Sequence, residues 1–91
     1  MKPIALQKIA TIMGALSRDP KYLQYERSKA HPQFNTLWET VNRIRRACFK
    51  DSDPPTEPEI MAGLDGLAAL CVDDFASFKG FVDRAKAELD D

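Results

Sequence analysis

The chain has 91 residues, 44% hydrophobic and 30% charged, which suits one small folded domain and excludes both intrinsic disorder and a second core. Its net charge of −1 conceals a division: residues 1–50 carry ten basic and three acidic side chains (+7), residues 51–91 three basic and eleven acidic (−8). Such asymmetry bears on partners and association and leaves the fold open.

Helical spacing recurs along the chain, and no segment alternates long enough for a strand. Over Pro3–Ser17, Leu6, Ile9, Ile12, Met13 and Leu16 form one stripe, with Gln7, Lys8 and Thr11 opposite. Pro3 suits a first turn, and Arg18-Asp19-Pro20 stops the helix. Asp19-Pro20 also opens the next, a capping side chain followed by proline at the first helical position. That short helix, Pro20 to about Ala30, has Tyr22, Leu23 and Tyr25 as its large apolar groups.

A third helix is expected from Pro32 or Asn35 to Lys50. Phe34, Leu37, Trp38, Val41, Ile44, Cys48 and Phe49 fall within an arc of roughly 140°. A loop at Asp51-Ser52-Asp53-Pro54-Pro55 follows. Thr56-Glu57-Pro58-Glu59 reads as a capping box, opening a helix to about Val72 that is apolar nearly all round. Ala62, Gly63, Gly66 and Ala69 give it a small-residue side, so it is expected to be the central, most buried element. Asp73 or Asp74 is expected to cap the last helix, Phe75–Leu89, whose apolar arc is Phe75, Phe78, Phe81, Val82, Ala85 and Leu89. The sum is an all-α fold: a single domain over residues 1–91, a small bundle of four main helices plus one short helix.

The longest nearly apolar stretch, Ile60–Val72, is too short to cross a bilayer. Gln7 and Lys8 interrupt any secretory signal. The expectation is therefore a cytoplasmic protein with no membrane partner and with Cys48 and Cys71 reduced.

Nothing points to catalysis. The four glycines (Gly14, Gly63, Gly66, Gly80) lie inside predicted helices, so no phosphate loop exists. His31 is the lone histidine, and no cysteine pair has zinc spacing. No catalytic residue, metal or cofactor is expected.

Two patterns suggest binding instead. Arg45 lies inside the apolar arc of the third helix beside Trp38 and Phe49. A guanidinium is not buried without a partner or an exit to water, and tryptophan with arginine is what interface hot spots are enriched in. Arg45 either lays its stem on Trp38 and reaches solvent, meets a carboxylate of the acidic half, or marks an edge that the monomer leaves uncovered. Arg43, Arg46 and Lys50 form a basic stripe on the other side of the same helix, interrupted by Glu39. Acids at helix starts account for most of the acidic half, although a negative surface imitating phosphate is also conceivable.

The leading expectation is a non-enzymatic protein-binding module. It would be a small helical regulator or inhibitor, of a kind common among phage and mobile-element products, that docks on a larger protein through Trp38, Arg45 and Phe49 with Arg43 and Arg46. The second is a nucleic-acid binder using Lys21, Arg27, Lys29, Asn42, Arg43, Arg46 and Lys50. The third is a self-assembling protein, a homo-oligomer in which opposite charges meet.

Overall fold

The computed structural model of the chain describes residues 3–28, 31–49 and 55–89. Five α-helices follow one another: α1 (Pro3–Ser17), α2 (Pro20–Ser28), α3 (Phe34–Cys48), α4 (Glu57–Leu70) and α5 (Lys79–Leu89). A 3-10 segment, Asp73–Phe78, leads into α5, and no strand occurs among the described residues. The fold is an all-α helical bundle.

Helix α1 is the innermost element. Ile9, Met13 and Leu16 are fully buried, with Leu6 and Ile12 packed at the margin of the same core. Helices α3 and α5 lie along it, and α4 closes the bundle against those two. The expectation that α4 would be central therefore fails. Its Ile60, Leu64 and Leu67 are buried, but Ala62, Gly66 and Ala69 face solvent. The apolar look of α4 comes from small residues on its exposed side, which also carries Asp65. A Cβ at Gly63 would stand 3.2 Å from Ile44 Cγ1, whereas one at Gly66 would meet nothing within 4 Å. Close helix approach thus accounts for Gly63 alone of the two.

The helix starts follow local chemistry, with one exception. Asp19 Oδ1 accepts from the Lys21 amide at 2.9 Å ahead of α2. Thr56 and Glu59 form the reciprocal capping box ahead of α4, at 3.4 and 3.3 Å. The exception is the segment before α5, where neither Asp73 nor Asp74 caps a helix at Phe75. Extended Val72 holds the cap position without a side-chain bond. Asp73 takes φ 51°, a left-handed conformation that aspartate tolerates better than most residues. The backbone then winds as 3-10 over six residues before α5 begins at Lys79.

Asp74 is diverted to a tertiary contact. Its Oδ2 lies 3.0 Å from His31 Nε2, and His31 Nδ1 accepts from the Gln33 amide at 3.3 Å. The His31 ring also packs on Phe75, with centroids 4.6 Å apart. Tyr22 meets Phe34 edge-on at 5.0 Å, and Tyr25 meets Phe75 edge-on at 5.3 Å. This aromatic cluster joins α2, the start of α3 and the 3-10 segment, and so fixes the orientation of α3.

The two charged halves meet in part. Lys8 reaches Glu88 at 3.7 Å, and His31–Asp74 likewise crosses from the basic half to the acidic half. Lys86–Asp65, at 2.6 Å, joins α5 to α4 within the acidic half. No carboxylate among the described residues pairs with the arginines of α3.

Candidate docking face on the third helix

Helix α3 presents two different sides. Leu37, Val41 and Ile44 are buried in the core, and Phe34 is buried in the aromatic cluster with Tyr22, Tyr25 and Phe75. On the adjoining side Trp38 is 43% exposed, and Phe49, in the turn that ends the helix, is 66% exposed. Of the eight aromatic side chains in the chain, these two alone are exposed; Tyr22, Phe34, Phe75 and Phe78 are buried, and Tyr25 and Phe81 half-buried.

Trp38 separates two shallow hollows of about 440 Å³ each. Trp38, Asn42, Arg45, Arg46 and Phe49 line one, and Glu26, His31, Phe34, Asn35 and Trp38 line the other. Together they make a track along α3, basic toward its C-terminal end and bearing the Glu26 carboxylate at the other. Asn42 donates its amide to the Trp38 carbonyl oxygen at 2.9 Å, which keeps its side-chain oxygen available as an acceptor.

Arg45 is half-buried, and its Nε, fully buried, has no hydrogen-bond partner among the described residues. No carboxylate among the described residues pairs with it, and the guanidinium-on-ring contact found among them is Arg84 over Phe81, at 4.8 Å. The Tyr22 hydroxyl is likewise buried without a partner. Burial, reinforced by the Glu26 charge and opposed by Arg45, pushes that phenol up to about 12. The charges that act on the Tyr22 hydroxyl, Glu26 and Arg45, are lining residues of the two hollows.

The remaining residues expected to bind fall elsewhere. Arg43 is exposed on α3 but lines neither hollow, so it does not belong with Trp38 and Phe49. Lys21 is half-buried and Arg27 exposed on α2, while Lys29 and Lys50 lie outside the described residues. Asn42, expected only as a base-reading group, is part of the aromatic face. Glu26 escaped notice because it comes from another helix, and no local pattern marks that approach.

Cys48 and Cys71 are unpaired, and burial pushes both thiols up to about 11. They are protonated and poorly nucleophilic at neutral pH. Among the described residues no three His, Cys, Asp or Glu side chains gather to hold a metal ion, and no helix is long and apolar enough to cross a membrane.

The chain matches no protein-family model, no curated protein and no solved structure.

Proposed function

We propose that this protein acts by binding, as a small helical module that docks on another protein through the Trp38–Arg45–Phe49 side of α3. One observation carries the reading: the two exposed aromatic rings line one hollow beside an arginine whose buried Nε has no partner among the described residues. Apolar anchors beside an underused guanidinium are the usual composition of a binding hot spot. A docked protein surface would cover the two exposed rings. A regulator or inhibitor is the role such a module best fits, given its small size and the absence of a catalytic motif in its sequence.

Affinity capture from native lysate, with and without nuclease, tests the proposal when wild type is compared with Trp38→Ala, Arg45→Glu and the remote Lys79→Glu. The reading requires a partner that survives nuclease, is retained by Lys79→Glu, and is reduced at least about tenfold by either face variant. Capture indifferent to both face variants overturns it. Capture that disappears with nuclease, together with a gel shift that weakens steeply with salt, assigns the basic side of α3 to nucleic acid instead.

A further inference from the structure

The spacing of the side chains that line the two hollows on α3 bears on what could dock there. Asn35, Trp38, Asn42, Arg45 and Phe49 are separated by three, four, three and four residues, the repeat of a helix seam that accepts a second helix. Every one of them lines the hollows divided by Trp38. Their 14-residue span is roughly 21 Å of helix. Glu39 and Arg46, both exposed and seven residues apart, follow Trp38 and Arg45 by one position and therefore share a flank of the seam.

Resting on the reading of this face as a docking surface, we propose that its occupant is the same face of a second copy of the chain, the two α3 helices antiparallel about a two-fold axis. A two-fold contact brings residue i to j and j to i. A single register pairs four of the five, Trp38, Asn42, Arg45 and Phe49. With Trp38 opposite the partner's Phe49, Asn42 falls opposite the partner's Arg45, and Glu39 falls beside the partner's Arg46. Each pairing occurs twice. The aromatic rings cover one another, the Asn42 side-chain oxygen accepts from a guanidinium, and both flank contacts join opposite charges. A parallel arrangement places Arg45 on Arg45, which like-charge repulsion disfavours. The self-complementarity is thus specific to the antiparallel pair. One helix per subunit makes a small interface, so the dimer is reversible and populated by concentration.

Sedimentation velocity on the full chain from about 10 μM to about 1 mM at low salt, with Trp38 fluorescence as a second readout, decides the matter; Trp38 is the single tryptophan. Wild type is expected to pass from monomer to dimer over that range with a change in indole emission. Glu39→Arg alone and Arg46→Glu alone each set like charges at both flanks, and each is expected to weaken association by about tenfold. An equimolar mixture of the two variants restores opposite charges at both flanks and is expected to regain wild-type association, as is the double variant. Both sites are exposed, and circular dichroism checks that each variant folds. A wild type that stays monomeric throughout, single variants that dimerise like wild type, or a mixture that fails to recover overturns the proposal. If the wild type is monomeric while Trp38→Ala and Arg45→Glu still abolish capture of a different protein, self-pairing falls and the docking face stands. If dimerisation follows the charge rule while capture ignores the face, the outcome is reversed.

Discussion

The two sides of α3 share a helix but follow different rules. Phe34, Leu37, Val41 and Ile44 face inward, none more than 4% exposed, whereas Trp38 and Phe49 point outward from the adjoining stripe. Hydrophobicity does not separate the two sets, since a tryptophan is as costly to expose as a leucine. What separates them is neighbours. The inner set packs into the core and the aromatic cluster, while the outer set alternates with the polar Asn35, Asn42 and Arg45.

Truncation on each side of the helix is the strongest way to break this comparison. Leu37→Ala removes a fully buried side chain and is expected to cost about 2–5 kcal/mol of unfolding free energy, through lost burial plus a residual cavity. Phe49→Ala, at a position 66% exposed, is expected to change stability by no more than about 0.5 kcal/mol. Urea denaturation measures both. A large loss for Phe49→Ala would mean that its ring supports the monomer, and the distinction between the two sides would collapse.

The glycines of α4 sharpen the same contrast, because Gly63 touches the inner side of α3 through Ile44. Gly66→Ala meets open space and is expected to stabilise the helix by about 0.5–1 kcal/mol. Gly63→Ala carries the same helical gain but drives a methyl to 3.2 Å from Ile44 Cγ1, so it is expected to be the less stable of the two variants. Thermal unfolding of the pair is the measurement. Equal gains would show that Ile44 yields freely and that the inner side is loosely packed.

The periodicity of apolar residues made most of this fold legible in the sequence. Five helical segments, the Asp19 and Thr56 starts, and the inner arc of α3 all follow from side chains within a few positions of one another. The failures come from contacts between distant residues. Asp74 is a natural helix cap until His31, 43 residues earlier, takes its carboxylate; the backbone then turns through 3-10 geometry before α5. The burial of α4 was misjudged because hydropathy counts an exposed alanine or glycine as apolar. At the face, Trp38, Arg45, Arg46 and Phe49 stood out by composition, and the three-four spacing that adds Asn35 and Asn42 was present to be read. The approach of Glu26 and the isolation of the Tyr22 hydroxyl depend on how α2 crosses α3, which local periodicity does not encode.

Tyr22 stands where the two sides of α3 meet, its ring against buried Phe34 and its hydroxyl under the influence of Arg45. The phenol is raised from 10.0 to about 12 in the folded protein, chiefly by burial. Between those values the unfolded chain has released the proton and the folded chain has not. The stabilisation is therefore fully present below pH 10 and lost as pH rises through about 12. Cys48 and Cys71, raised from 9.0 to about 11, act in the same direction slightly earlier. Tyr22→Phe keeps the ring and removes the orphaned hydroxyl. At pH 7 it is expected to leave stability unchanged or raise it by less than about 1 kcal/mol, because no hydrogen bond is lost. At pH 11 it is expected to be the more stable protein, with a shallower alkaline decline. Urea titrations at the two values separate the possibilities. A clear loss at pH 7 would show that the hydroxyl has a partner in solution, and the border of the docking face would then be a satisfied polar contact rather than an open one.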